Sequence, residues 1–159
     1  AQQETGAVVN IHPGRNEKAP MDAMVTVLEM GSNPERVVMS HIDRTYFTLD
    51  GMLKLADTGC YLEFDLFGQE SSYYPAAPID MPNDATRIDF MRSLMERGFH
   101  ERILFSQDIC MKHHVSAYGG EGYTHIIDTV IPVMMRKGMT HNDIEQLTVK
   151  NPAAMLTFR

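Results

Sequence analysis

The sequence predicts an α/β fold: four parallel strands covered by helices, amounting to half of a (β/α)8 barrel. Three observations carry that prediction. The strand segments are continuously apolar, as strands buried on both faces are. They alternate with segments of helical periodicity, the pattern of successive βαβ units. Two units also enter and leave their strands alike. Glu35-Arg36-Val37-Val38-Met39-Ser40-His41 is echoed by Glu101-Arg102-Ile103-Leu104-Phe105-Ser106-Gln107, with Asp108 next. Repeated units suit a barrel, yet a complete one needs about 250 residues and this chain has 159.

Residues 7–12 form the first strand, stopped by Pro13-Gly14, and no helix or cap is expected before it. A helix over 21–30 follows and ends at Gly31-Ser32-Asn33-Pro34. The second strand covers 36–41. A short helix over 50–57, apolar at Met52, Leu53, Leu55 and Ala56, closes at Gly59. The third strand is 60–65, and the polar, Pro-rich stretch 68–82 reads as a long loop. Asn83 or Asp84 caps a helix running to Arg97, with Ile88, Met91, Leu94 and Met95 on one face and Gly98 beyond its end. The fourth strand is 102–106. A second long loop, 110–124, leads to a helix over 125–137, and two short helices, 140–149 and 152–158, complete the chain.

Composition bounds the function. Fourteen basic residues against 21 acidic ones give a net charge of −7, which argues against binding nucleic acid through a general positive field. No apolar run approaches the roughly 20 residues that span a bilayer, so no membrane insertion is expected. Two cysteines, Cys60 and Cys110, are too few for a disulfide framework, which favours a reducing, cytoplasmic setting. Thirteen methionines and no tryptophan is unusual, and the methionines at helical spacing read as core filling.

Three strands end in a side chain able to bind a metal: His12, His41 and Asp108. The C-terminal ends of parallel strands are where such sheets place their sites. Two imidazoles and a carboxylate suit zinc or a similar divalent ion. His113-His114 reads instead as a solvated loop pair, because neighbours in a loop seldom converge. His100, His125 and His141 flank or begin helices and carry structural readings. Cys110 lacks an orienting group for a nucleophile. Gly119-Gly120-Glu121-Gly122 lacks the strand-to-helix spacing of a phosphate loop.

Five stretches, VVNIHPGRN (8–16), ERVVMSHIDRTYF (35–47), GCYLEFDLFG (59–68), RILFSQDIC (102–110) and LTVKNPAAML (147–156), resemble in order the phosphotriesterase-like branch of the amidohydrolase superfamily. The resemblance runs end to end. It implies a (β/α)8 barrel with two divalent metal ions, zinc, bridged by hydroxide and a carbamylated lysine. His12 matches the family's ligand on strand five and His41 its ligand on strand six. Asp108 matches the strand-eight aspartate, which ligates the other metal and shuttles a proton. The strand-one His-x-His and the strand-four lysine have no counterpart, so residues 1–159 are expected to be the C-terminal half of the barrel, a fragment. Lys18, Lys54 and Lys112 sit at no matching strand end.

Two departures bear on the substrate. Leu66 follows Phe64-Asp65 where true phosphotriesterases carry histidine, and Arg44 stands three residues after His41 where they carry an acid. The resemblance therefore implies hydrolysis of an amide or ester other than an organophosphate. An N-acyl amino sulfonate, N-acetyltaurine, is the substrate it suggests for the animal members. Arg15 and Arg44, each three residues beyond a ligand histidine, are the expected anchors for a small anionic substrate. A lactonase or phosphotriesterase-type esterase is the alternative within the family. Outside enzymology, the alternatives are an inactive half-barrel that self-associates as a homo-oligomer through its open parallel edges or is degraded, and an unrelated α/β binding module that uses its cleft without metal.

Overall fold

Four short strands, β1 (Val9–Ile11), β2 (Val37–Met39), β3 (Tyr61–Phe64) and β4 (Ile103–Phe105), form one sheet in the order β1-β2-β3-β4. Every pairing is parallel, with Val9 opposite Val37, Val38 opposite Tyr61 and Leu62 opposite Ile103. Sequential order with parallel pairing makes each connection a crossover, the winding of a barrel. The computed structural model describes residues 1–158. The four predicted strands are all present, each a residue or two shorter at its ends.

The helices are α1 (Gln2–Thr5), α2 (Ala19–Glu29), α3 (Leu49–Ala56), α4 (Asp84–Leu94), α5 (Ile131–Arg136), α6 (His141–Glu145) and α7 (Asn151–Leu156). Strand side chains alternate between the faces of the sheet. Val37, Met39, Leu62, Phe64 and Ile103 face outward into a core completed by Met24, Met52, Leu55, Ile88, Met91 and Met134. Val38, Tyr61 and Leu104 face inward, where Val8 and Met155 of α7 pack against them. Both faces are covered, which is why the strands read as continuous apolar runs. Buried Arg36 closes the lower end, donating from Nη1 to Ala154 O at 3.2 Å and from Nη2 to Gly6 O at 3.0 Å.

The structure corrects the sequence reading in three places. A helical turn, α1, does precede the first strand. It is anchored by buried Gln2, whose amide donates to Arg36 O at 3.0 Å and accepts from Asn33 N–H at 2.8 Å. Residues 141–156 run as one helical stretch rather than two, with a wide turn at Gln146–Lys150. A proline displaces the carbonyl four residues back and supplies no N–H. The widened turn absorbs this at Thr148 ahead of Pro152, as Ile126–Val130 does ahead of Pro132. Finally, loop 110–124 contains two single 3-10 turns, Lys112–His114 and Ser116–Tyr118.

The two thiols are free, and they differ sharply in setting. Burial pushes the Cys60 thiol up to about 11 and leaves it no exposed surface, whereas Cys110 is exposed. Since the thiolate is the reactive form, iodoacetamide is expected to add once to the native chain and twice in denaturant, read by intact mass. Two rapid additions to the native chain would show that the core around Cys60 opens readily.

Candidate metal centre

The C-terminal ends of the strands carry His12, His41, Asp65 and Asp108. Asn10, Ser40, Glu63 and Ser106 project from the inner face beside them, and the eight line one cavity of about 440 Å³. Ser40 Oγ lies 2.6 Å from Asn10 Oδ1 and 2.7 Å from Glu63 Oε2, so the floor of the cavity is polar and cross-linked.

His41 is buried and holds a left-handed backbone, φ 57 and ψ 35; Asp108 does the same at φ 43. Among the described residues these are the only non-glycine residues with positive φ. Such a conformation costs roughly 1–2 kcal/mol per residue, and strain of this kind gathers at functional sites. Asp65 makes the turn at His41 affordable by accepting its backbone N–H at 3.0 and 3.1 Å and its ring Nδ1–H at 2.9 Å. That bond fixes the tautomer and leaves His41 Nε2 with a bare lone pair. Burial raises the Asp65 carboxyl above its ordinary range, and the His41 hydrogen bond pulls the other way.

His41 Nε2 points at His12 Nδ1, 2.7 Å away, with the rings edge to face at 77°. His12 Nε2 in turn lies 3.1 Å from Arg44 Nη2. Desolvation and the neighbouring His41, Arg44 and Arg15 hold the His12 pKa down, which keeps the ring neutral and able to ligate. Two ring nitrogens converging at the ends of parallel strands are a donor pair that would hold a divalent ion. Asp108 is exposed on the wall of the same cavity and stands apart from this hydrogen-bonded chain. Among the described residues, no three His, Cys, Asp or Glu side chains gather into a complete ion cage. The structure thus brings His12 and His41 together and sets Asp108 beside them.

Arg44 is 2% exposed, and its Nη1 has no hydrogen-bond partner. Besides His12, its Nη2 reaches only Pro13 O, at 3.4 Å. Burial and then the charge of Arg15 lower its pKa. Arg15 is exposed and stacks over the Tyr74 ring at 5.6 Å. Two guanidinium groups therefore lie near the histidine pair, and the buried one has no carboxylate in hydrogen-bonding reach.

Below the site lies a network that the sequence reading missed. Arg87 of α4, fully buried, donates from Nε to Asp43 Oδ2 at 2.7 Å, from Nη1 to Asp84 Oδ1 at 2.7 Å and from Nη2 to Gln69 O at 2.7 Å. Asp43 Oδ2 also accepts the N–H of Leu66, next to Asp65, at 3.1 Å. Burial pushes the Asp43 carboxyl up to about 6 against the opposing pull of Arg87. His125, also buried, joins the network through Nε2 to Asp84 Oδ2 at 2.6 Å, a structural role as expected. His113 is exposed, but His114 is half-buried, its Nδ1 lacks a partner, and the two rings pack edge to face at 4.4 Å; the pair is less solvated than the sequence suggests.

The model of the phosphotriesterase family matches residues 1–156. The chain belongs to this family. Phosphotriesterase-related protein of Drosophila mojavensis is 46% identical over 158 residues, covering 99% of this chain and 45% of the relative. N-acetyltaurine hydrolase of Bos taurus is 43% identical over 160 residues, covering 100% of this chain and 46% of that protein. The phosphotriesterase homology protein of Escherichia coli, solved with phosphate in its active site, superposes with a TM-score of 0.86 at 29% identity over 99% of this chain and 50% of its own. The chain thus spans about half the length of the family members it matches, and its four strands and helices are part of the phosphotriesterase barrel. No helix among the described residues is long and apolar enough to cross a membrane.

Proposed function

We propose that residues 1–159 are the C-terminal half of a metal-dependent hydrolase barrel, acting on an amide or ester with a small anionic substituent. The observation that carries this reading is the convergence of His12 Nδ1 and His41 Nε2, 2.7 Å apart, beside a buried guanidinium free of any carboxylate. His12 and His41 would hold one divalent ion, zinc by the chemistry of the donors, and Asp108 would contribute to a second. Bound there, the ions supply Lewis acidity and lower the pKa of water.

The chain's own residues do the rest. Asp65 keeps the lone pair of His41 Nε2 facing the cavity. Asp108, exposed and unencumbered, accepts a proton at its carboxylate and returns it to the leaving group. Arg44, with Arg15 near it, binds the anionic end of the substrate. N-acetyltaurine, the substrate named for the Bos taurus relative, has an amide and a sulfonate of the kind this arrangement would take. Two free thiols suit the cytoplasm. The alternative of self-association rests on the sheet, whose order leaves the outer edges of β1 and β4 unpaired among the described residues.

The test compares zinc content and N-acetyltaurine hydrolysis for this chain alone and for the chain fused behind the N-terminal half of the Drosophila mojavensis relative. Hydrolysis and two zinc ions per molecule are expected only in the fusion. Full activity in the chain alone would sink the half-barrel reading, and a fusion without zinc would sink the metal. Within the fusion, Asp65→Asn is expected to weaken zinc binding about 10–100-fold in a chelator competition, the usual effect of losing an orienting carboxylate. An unchanged affinity would mean that His41 is aimed without Asp65.

A further inference from the structure

We infer that Arg44 couples metal binding to anion binding, because the hydrogen bond it makes to His12 and the ligation of a metal by His12 require opposite tautomers of the same ring. The inference rests on the metal site proposed above and adds a regulation of it.

The donor-only chemistry of Arg44 assigns the protons of the site. A guanidinium only donates, so His12 Nε2, 3.1 Å from Arg44 Nη2, is an acceptor. A neutral ring with its lone pair at Nε2 carries its hydrogen on Nδ1. That hydrogen points at His41 Nε2, 2.7 Å away, which must accept it. His41 then carries its own hydrogen on Nδ1 and donates it to Asp65 Oδ1 at 2.9 Å. One direction of donation runs from Arg44 through His12 and His41 to Asp65, and all four ring nitrogens are used.

Ligation needs bare lone pairs on His12 Nδ1 and His41 Nε2. His41 already offers one. His12 does not: its hydrogen must move to Nε2, where it meets an N–H of Arg44, and two donors face each other. Arg44 then loses its better contact and keeps only Pro13 O at 3.4 Å. Its Nη1 is already unpartnered, Arg15 repels it, and Asp65 and Asp43 attract it without hydrogen-bonding to it. A buried cation in that position needs an anion. A planar fork of donors matches a carboxylate or sulfonate oxygen pair, so the released guanidinium favours that class of head group. Linkage makes the effect reciprocal: an anion that draws Arg44 away from His12 must tighten metal binding by the same factor.

The experiment reads imidazole nitrogen resonances of the 15N-labelled 159-residue chain, in the wild type and in Arg44→Ala, through titrations with zinc and with methanesulfonate. Before zinc is added, the wild type is expected to show His12 in the Nδ1–H tautomer and Arg44→Ala to shift it toward Nε2–H. Zinc is expected to bind Arg44→Ala about 5–10-fold more tightly than the wild type, and saturating methanesulfonate to tighten zinc about fivefold or more in the wild type alone. The Nε resonance of Arg44 in the wild type gives a readout that needs no variant: it should move with zinc and again with methanesulfonate. A wild-type His12 already in the Nε2–H tautomer, equal zinc affinity in both proteins, or an Arg44 resonance indifferent to zinc would each overturn the coupling. Zinc bound at both rings with any of these results overturns the coupling alone. Zinc that leaves both rings unperturbed overturns the metal site as well.

Discussion

Replacing Arg87 with alanine is expected to cost about 3–5 kcal/mol, the usual result of removing one member of a buried ion pair. Against a typical domain stability of about 5–15 kcal/mol, that leaves the chain close to unfolding. The Arg87 and Asp43 side chains are both fully buried, and the substitution strands the Asp43 carboxylate with a single donor, Leu66 N–H. It also takes one donor from Asp84, which keeps Gly68 N–H and His125, and removes the Arg87 donor from the Gln69 carbonyl. The cost depends on pH. Asp43 titrates at about 6 with Arg87 present, above its ordinary 3.8, and losing the cation raises it further. A raised carboxyl favours the folded state below its pKa and loses that contribution as pH rises through it. The variant should therefore be less destabilised at about pH 5 than at about pH 8. Combining Arg87→Met with Asp43→Asn, which removes both charges and keeps an acceptor for Leu66, should recover at least half of the loss. Urea unfolding measures all of this, and a loss below about 1 kcal/mol would mean that water already reaches the pair.

Asp108→Asn in the fusion carrying both halves is expected to lower kcat by about 10²–10⁴, the range for removing a general acid–base group. The urea midpoint should hardly move. The side chain is exposed, and asparagine tolerates the left-handed backbone at φ 43 as well as aspartate does. Near-normal turnover with zinc still bound would remove Asp108 from the chemistry.

The strands were legible because their burial on both faces is written as apolar runs, interrupted at Asn10 and Glu63, and His12, His41 and Asp108 because each ends such a run. By the same rule Asp65 could have been found, since it follows Tyr61–Phe64 directly. Its role does not show there, because a carboxylate that aims a ligand histidine looks in sequence like any other strand-end acid. Arg87 gave no such signal: on an amphipathic helix an arginine reads as solvent-facing, and besides Asp84 one turn back, the partners that make its burial tolerable, Asp43 and Gln69, are far away in sequence. Helix α1 was invisible for a similar reason, since Gln2 is held by groups more than 30 residues away. The continuous helix over 141–156 was hidden by Pro152, because sequence rules treat proline as a stop and do not anticipate a widened turn. The spacing from His41 points to Arg44. Its contact with His12 does not show, because a three-residue offset says nothing of where a long side chain ends.

The left-handed backbones at His41 and Asp108 carry a consequence for how this chain can change over generations. Glycine would relax either backbone by roughly 1 kcal/mol. At His41 that gain is offset by the loss of a buried ring and of its bond to Asp65, whereas the Asp108 side chain is exposed. A population screened only for folding should therefore drift toward glycine at position 108, while one screened for turnover should hold aspartate there at a standing loss of stability. That codon thus records which of the two demands the chain has been under.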